Sequence, residues 1–295
     1  GMTETPMVVI VAQRPGPATG LPTWTAQGDL QLAIHAGHGE FPRLVVAVSD
    51  VDACYELLQH AFNYAEVYQI PVVVLTEKQI AESIFMTAPF KANLVKIERG
   101  LVTAADELKK VTASQRFQIT KSGVSKRWLP GSGGVPYYAN SDEHWESGVL
   151  TEDGDKAGAM IEKRLRKLKT LEEVLPEPRV LGRGGGAEVS FVGWGSTKNL
   201  MKDVIYEAEQ AGFAVNYLHF DYLYPLKTDR LDQFFRENKR VCLMEGNYFG
   251  QLGQLVEEKT DWHFYKKFLR YNGRPFRLEE VLEFVRDLAA IPKTF

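Results

Sequence analysis

The stretch LVVAVSDVDACYELLQHAFNYAEVYQIPVVVL, residues 44–75, decides the fold class of this chain. Valine-rich runs open and close it, at 44–48 and 71–75, and such runs are typical of strands buried on both faces. Ser49 or Asp50 can cap the intervening helix. Its apolar face is predicted to consist of Val51, Cys54, Leu57, Leu58, Ala61, Phe62 and Ala65. Strand, helix and strand with short connections form a βαβ unit, which predicts a parallel sheet.

The rest of the N-terminal half extends this α/β pattern less clearly. A further valine-rich run at 7–11 precedes the unit, and we expect residues 1–88 to form an α/β domain with too few strands to cover both faces of its sheet. Residues 89–178 are predicted to form a connecting region that contains a small β element near 116–138 and a helix over 155–175.

The helix over 155–175 carries a basic run, KRLRKLK, at 163–169. Such a run indicates either an anion site or a solvated helix face, and the solvated face is the favoured interpretation. Thr151, Glu152 and Asp153 can cap the helix. Its inward side chains are predicted to be Met160, Ile161, Leu165, Leu168, Leu171 and Val174.

A second α/β domain is predicted for residues 179–295. Pro176 and Pro178, together with the glycines of 182–186, indicate a linker at its start. Strands and helices then alternate, with strands at 188–194, 214–220 and 240–245 and helices at 196–212, near 228–236 and from about Gly250. This order favours a largely parallel sheet.

Composition excludes several classes of protein. A chain of 295 residues is long enough for about two domains, and a net charge of −3 argues against a general nucleic-acid binder. The apolar runs are too short to span a bilayer, and no basic stretch precedes the first of them, so we expect a cytoplasmic protein without a signal peptide. Two cysteines, Cys54 and Cys242, cannot form a four-cysteine cluster and are predicted to be packing residues without a disulfide.

The loop QRPGPATGLPT, residues 13–23, is the first candidate site. Its prolines and glycines exclude a helix or a paired strand. Arg14 is the one cation among neutral hydrogen-bonding groups, and a guanidinium binds a carboxylate or phosphate through parallel hydrogen bonds. The alternative is a structural connector in which Arg14 pairs with Asp29 or Glu40. Side chains that either line the same pocket or cap the next helix are Thr19, Thr23, Gln27 and Asp29.

Two turns later in the chain are weaker candidates for cofactor binding. VGWGST, residues 192–197, follows a strand and opens a helix, which is the context for phosphate binding by backbone N–H groups. The full dinucleotide pattern is missing, so the glycines serve either a ligand or a tight turn. EGNYFGQL, residues 245–252, has the same context or forms a subunit or domain interface. The candidate cofactor-binding residues are Gly195, Ser196 and Asn247.

The histidines give little evidence of chemistry. His35 and His38 are three residues apart, but Gly37 and Gly39 interrupt any shared helical face, and no metal site is predicted. His144 lies in the acidic segment SDEHWESGVLTED. It acts either as a general acid–base or as part of a contact loop, and the contact loop is favoured.

Taken in order, QRPGPATGLPT with QGDL and HGEFPR, SDEHWESGVLTED, VGWGST and EGNYFGQL resemble the alpha subunit of 2-oxoacid:ferredoxin oxidoreductases, especially the 2-oxoglutarate branch. The resemblance implies a partial pyrimidine-type domain of thiamine enzymes followed by a transketolase C-terminal-like α/β domain. It also implies oxidative decarboxylation of a 2-oxoacid to an acyl-CoA, with reduction of ferredoxin. Arg14 aligns with the family's substrate-contacting arginine, and we predict that Thr19 and Thr23, on the same loop, bind the substrate with it.

The same resemblance implies that other polypeptide segments complete the enzyme. The family's earlier pyrimidine-domain segment, its thiamine-activating glutamate, its magnesium–diphosphate signature and its cluster ligands have no counterpart here. We therefore expect a chain inactive alone, with thiamine diphosphate, magnesium, a [4Fe–4S] cluster and coenzyme A held through partner subunits. The expected partners are a beta subunit, the 2-oxoacid, ferredoxin and further copies of the chain, without nucleic acid or membrane.

Two alternative functions stay open at this point. The chain is either a non-catalytic scaffold fragment, or a stand-alone nucleotide- or coenzyme A-binding protein that uses the VGWGST turn. In every case, the exposed edge of an incomplete sheet predicts association with a second copy or a partner.

Overall fold

The computed structural model describes residues 1–92 and 94–290. Its strands are β1 (Met7–Gln13), β2 (Leu44–Ala47), β3 (Pro71–Glu77), β4 (Arg179–Gly182), β5 (Val189–Trp194), β6 (Val215–Phe220), β7 (Tyr222–Tyr224), β8 (Val241–Glu245) and β9 (Lys266–Leu269). Its α-helices are α1 (Leu30–His35), α2 (Val51–Tyr68), α3 (Lys78–Glu82), α4 (Gly154–Val174), α5 (Thr197–Gln210), α6 (Asp229–Glu237), α7 (Gln251–Lys259) and α8 (Leu278–Ala290).

The first sheet has the strand order β1-β3-β2-β7. β3 pairs in parallel with both β1 and β2, which confirms the predicted βαβ unit. The Asp50 carboxylate accepts the backbone N–H of Ala53 at 2.8 Å and caps α2, whereas Ser49 takes no part in the cap. Phe62 was expected on the buried face of α2, but it is 59% exposed, since the apolar stripe of this helix is narrower than predicted.

The antiparallel strand β7 lies within the predicted second domain, 179–295, yet it pairs with β2 of the first sheet. The second sheet has the order β4-β6-β5-β8-β9, parallel except for the antiparallel edge strand β4. β4 forms within the segment predicted as a linker, because its backbone finds partners on β6 that the local sequence does not reveal. One apolar core contacts both sheets and includes Val45, Leu75, Val192, Trp194 and Phe220.

The connecting region is mostly irregular. Where a small β element was predicted near 116–138, the described chain has only isolated bridges, Val102 with Arg127 and, further on, His144 with Leu150. Side-chain hydrogen bonds hold this region together in place of backbone hydrogen bonds between paired strands. The Trp128 indole, for example, donates to the carbonyl of Val135 at 2.7 Å.

The basic run on α4 corrects a prediction. Lys163 and Lys167 are fully buried and both form ion pairs with Glu4, which is itself buried. Arg164 makes a two-point contact with Glu143. The predicted solvated face is therefore wrong, because acids distant in sequence fold onto it and supply the counter-charges.

This ion cluster changes both the protonation and the packing of the helix. Burial opposes ionisation of Glu4, but the two lysines outweigh it and lower its pKa to about 2. Burial lowers the pKa of Lys163 to about 7. The helix turns this charged face inward, and so the predicted core residues Ile161 and Val174 are exposed instead.

Candidate functional site

The candidate site lies where strands of the two sheets end at their carboxyl ends. The loop that follows β1 packs there against the ends of β3, β5 and β8, through contacts with Glu77, Trp194 and Gly246. In open parallel sheets, this edge is where ligands generally bind. The apolar cores below fix the strands, and therefore the loop is held on a rigid support.

The loop from Pro15 to Trp24 is compact. The N–H of Leu21 donates to the carbonyl of Pro15 at 3.0 Å, and the N–H of Trp24 donates to the carbonyl of Leu21 at 3.2 Å. Gly20 has a φ of +51°, and a Cβ there would lie 1.8 Å from the Pro15 oxygen. Glycine is therefore required at this turn.

Arg14 is exposed at the base of this loop. Within 1–92 and 94–290, its side chain makes no hydrogen bond or salt bridge, so neither structural pairing considered for it, with Asp29 or with Glu40, forms. Burial raises the pKa of Asp29, and the nearby Arg14 charge opposes that rise. Thr19 and Thr23 are also exposed on the same loop. The three predicted substrate contacts thus lie on one short, solvent-facing segment.

The VGWGST turn is occupied by the chain's own groups. The Ser196 N–H, at the start of α5, lies 3.2 Å from the Glu77 carboxylate. Glu77 also accepts the Thr25 hydroxyl at 2.5 Å, so the first loop, β3 and α5 meet at one buried acid. Burial raises the pKa of Glu77 despite these bonds.

The remaining candidate cofactor contacts are likewise internal. Gly195 has a φ of +62°, and a Cβ there would lie 2.6 Å from Gln27 Nε2. The Asn247 amide donates to the Gln27 carbonyl at 2.8 Å and to Glu245 Oε1 at 2.7 Å. A diphosphate does not fit at this turn, because the Glu77 carboxyl group already accepts the Ser196 N–H and the Gln27 side chain packs directly against Gly195.

Glu245 is a buried acid at the carboxyl end of β8, next to the Gly246 that contacts the loop. It accepts the Trp194 indole N–H at 3.0 Å and the Leu252 N–H at 3.0 Å. Burial raises its pKa to about 7, and these donors oppose the rise. The EGNYFGQL motif was predicted either to resemble a phosphate-binding turn or to form a subunit or domain interface, and in the structure its Glu245 contacts other parts of the same chain.

A buried series of side-chain hydrogen bonds along β6 was not predicted from the sequence. Thr197, Tyr217, His219 and Asp221 are linked in that order by hydrogen bonds of 2.8, 3.1 and 3.0 Å. Burial lowers the pKa of His219, against the neighbouring Asp221 carboxylate. Polar residues at alternate positions 217, 219 and 221, on β6 and directly after it, were the signal that could have revealed it.

The histidines singled out from the sequence, at positions 35, 38 and 144, form no hydrogen bond with the loop in the described part of the chain. His144 is fully buried, its ring nitrogens contacting the carbonyls of Trp145 and Met2, so it serves as part of a contact loop. His35 and His38 are exposed. In the part of the chain that the structure describes, no three His, Cys, Asp or Glu side chains are grouped to hold a metal ion. No helix among those residues is long and apolar enough to cross a membrane.

Comparisons with known protein families match both halves of the chain. Residues 1–153 match the family model "Pyruvate flavodoxin/ferredoxin oxidoreductase, thiamine diP-bdg". Residues 187–281 match "Pyruvate:ferredoxin oxidoreductase core domain II".

Individual relatives agree. The chain is 33% identical over 289 residues to the alpha subunit of 2-oxoacid:ferredoxin oxidoreductase 1 from Sulfurisphaera tokodaii, covering 96% of this chain and 44% of that protein. It is 28% identical to the 2-oxoglutarate synthase subunit KorA from Methanocaldococcus jannaschii, covering 87% and 66%.

A solved structure gives the same result. The 2-oxoglutarate:ferredoxin oxidoreductase from Magnetococcus marinus, with 2-oxoglutarate, coenzyme A and succinyl-CoA bound, superposes with a TM-score of 0.87 at 30% identity. The match covers 98% of this chain and 49% of that one. The chain thus spans about half the length of several of the proteins that it matches.

Proposed function

Because the chain belongs to the family of 2-oxoacid:ferredoxin oxidoreductase alpha subunits, we propose that it presents the substrate-binding loop of such an enzyme. The enzyme oxidatively decarboxylates a 2-oxoacid to an acyl-CoA and reduces ferredoxin. The observation that carries the proposal is Arg14, an exposed guanidinium at the carboxyl end of β1 that makes no hydrogen bond or salt bridge to any of the residues that the structure describes.

Arg14 is proposed to bind the carboxylate of the 2-oxoacid through two parallel hydrogen bonds. This contact fixes the plane of the carboxylate relative to the adjacent carbonyl, and decarboxylation requires that the C1–C2 bond be oriented in this way. The hydroxyls of Thr19 and Thr23 are proposed to complete the contact, since both lie on the same exposed loop. The loop's internal hydrogen bonds limit its freedom and so reduce the entropy lost on binding.

The remaining chemistry is proposed to come from other polypeptide segments. Thiamine diphosphate supplies the carbanion chemistry when bound. The turn at Gly195 and Ser196 does not fit its diphosphate, and so we propose that thiamine diphosphate, magnesium, the [4Fe–4S] cluster and coenzyme A are held through partner subunits. The proposed partners are a beta subunit and ferredoxin.

The substrate is proposed to be 2-oxoglutarate. This finer assignment is supported by the names of the M. jannaschii relative and the M. marinus enzyme, both of which include 2-oxoglutarate. We further propose a division into 1–88, 89–178 and 179–295, a homo-oligomeric assembly and a cytoplasmic location.

The test is co-expression of this chain with the beta subunit encoded beside it, followed by affinity capture and a viologen-reduction assay. Capture together with reduction that requires both 2-oxoglutarate and coenzyme A supports the proposal. Activity with a different 2-oxoacid would retain the reaction and overturn the substrate. Capture without activity toward any 2-oxoacid would favour a scaffold role, and failure of capture would overturn the assignment of the partner.

A further inference from the structure

We propose that Gln27 is a positioning residue, which anchors the downstream end of the substrate-binding loop to the second sheet and thereby sets the place of Arg14. This inference rests on the proposed function and deepens it. Gln27 is 1% exposed and lies outside any helix or strand, four residues after the Thr23 that the loop presents.

Every polar group of Gln27 is bonded to the carboxyl ends of β5 and β8. Its side-chain amide donates to the Trp194 carbonyl at 2.7 Å and accepts the Gly246 N–H at 2.7 Å. Its backbone N–H donates to the Gly246 carbonyl at 2.8 Å, and its carbonyl accepts the Asn247 amide at 2.8 Å. Four bonds from one buried residue to a separate sheet leave it a single position.

Two glycines make room for this side chain. A Cβ at Gly195 would lie 2.6 Å from Gln27 Nε2, and a Cβ at Gly246 would lie 3.2 Å from its Cγ and Oε1. The glycines of both the VGWGST and EGNYFGQL motifs therefore border Gln27. These motifs, which resemble cofactor turns in sequence, enclose the Gln27 side chain, and we call this space, bordered by Gly195 and Gly246, the Gln27 socket.

The neighbouring contacts show why the effect reaches Arg14. The Gln13 side chain, one residue before Arg14, accepts the Asp29 N–H at 3.1 Å, so the two ends of the loop are tied together beside Gln27. Thr25 links the same segment to Glu77 and, through its N–H, to the Gly273 carbonyl at 3.3 Å. Loss of the Gln27 hydrogen bonds would detach the downstream end of the loop from the second sheet. The loop, and Arg14 with it, would then move relative to the strands.

The first test is hydrogen–deuterium exchange on the full chain with Gln27→Glu. The new carboxylate has the same shape but no N–H for the Trp194 carbonyl. We expect exchange at residues 19–25 to rise by at least about tenfold, while core strands β2 and β5 exchange as in wild type. Gln31→Glu is the matched control, since the Gln31 side chain contacts the same region through Gln251 without holding the loop. Unchanged exchange in a folded Gln27→Glu would overturn the inference.

The second test measures activity in the assembled enzyme. Gln27→Glu is expected to raise the 2-oxoacid KM about tenfold with a much smaller change in the KM for coenzyme A, whereas Gln31→Glu leaves both unchanged. Gly246→Ala, which presses on Gln27 from the opposite side, is expected to change the same parameter in the same direction. An equal loss of kcat with every KM unchanged would overturn the positioning role.

The two tests also separate this inference from the proposed function. A wild-type complex without 2-oxoacid-dependent reduction overturns the proposed function, while exchange in the full chain still tests the anchor. If Gln27→Glu does not fold, Gly246→Ala provides both readouts in its place, and wild-type exchange together with a wild-type KM in that variant overturns the inference.

Discussion

The carboxylate of Glu77, at the end of β3, accepts the backbone N–H of Ser196, at the start of α5, over 3.2 Å. A helix N-terminus is a ready-made anion site, and here a carboxyl group of the chain itself occupies it. The relationship explains why a motif that looks like a phosphate turn performs a structural task. It also joins the two sheets at the edge that carries the proposed substrate-binding loop.

Replacement of Gly195 tests the tightness of this junction. Gly195→Ala adds a Cβ 2.6 Å from Gln27 Nε2 and 3.2 Å from the Glu77 carboxylate. We expect its free energy of unfolding to fall by about 3 kcal/mol, from backbone strain and overpacking together. Gly186→Ala is the matched control, since Gly186 has a φ of +69° but open space around it, so only the strain of about 1 kcal/mol is expected. Equal losses of unfolding free energy for Gly195→Ala and Gly186→Ala, measured by urea unfolding, would show that the space around Gly195 tolerates the methyl group.

The buried acid Glu245 predicts a pH dependence of stability. Its folded pKa of about 7 lies above the ordinary value of 4.5, so its contribution to stability is complete below about pH 4.5 and is lost as the pH rises through 7. The expected loss is about 3 kcal/mol. Urea unfolding between pH 4.5 and 8 should show this decline in wild type and in the exposed control Glu207→Gln. Glu245→Gln should lack it, and parallel profiles for all three proteins would contradict the prediction.

The ion cluster on α4 predicts a large effect from a single charge. Glu4→Gln leaves Lys163 and Lys167 buried without their carboxylate, and such an uncompensated charge costs about 3–5 kcal/mol. Glu143→Gln removes a carboxylate that is 20% exposed, so a smaller loss of about 1–2 kcal/mol is expected. Thermal or urea unfolding distinguishes the two variants. A loss for Glu4→Gln no larger than that for Glu143→Gln would mean that water reaches the lysines.

The cluster and the socket also show what the sequence could and could not predict. The βαβ unit around α2 and the alternating elements β5, α5, β6, α6, β8 and α7 were predictable from local periodicity, whereas the short strand β7 was not. The ion pairs of Lys163 and Lys167 with Glu4 were not, since the partners are far apart in the chain and only folding joins them.

The candidate site likewise contains residues that the sequence could identify and residues whose role it could not. Arg14 was identifiable as a cation in a proline- and glycine-rich loop off a strand end. The roles of Gly195, Ser196 and Asn247 as internal contacts were not predictable from local sequence. A glycine turn at a helix start has the same sequence pattern whether it faces a phosphate or, as here, a buried glutamate.

The outer edge of β1 predicts self-association. β1 is the terminal strand of its sheet, and Ile10 on it is 59% exposed. Unpaired edges recruit further strands, and charged side chains discourage this pairing. Ile10→Lys is therefore expected to raise the concentration at which the isolated chain associates by about tenfold, measured by light scattering. Tyr206→Lys, at a position 60% exposed on α5, should leave association unchanged. If Ile10→Lys had the same distribution of molecular mass as wild type, the contact between copies would not lie at the β1 edge.

The most direct test of the central claim is the KM for 2-oxoglutarate of Arg14→Lys in the complex with the beta subunit. A lysine keeps the charge but loses the two-point geometry, so we expect a KM raised by about tenfold to a hundredfold together with a lower kcat. Arg183→Lys, at an exposed arginine before β5, is the control and should match wild type. An Arg14→Lys complex with the KM and kcat of wild type would show that Arg14 does not bind the substrate and would contradict the proposed function.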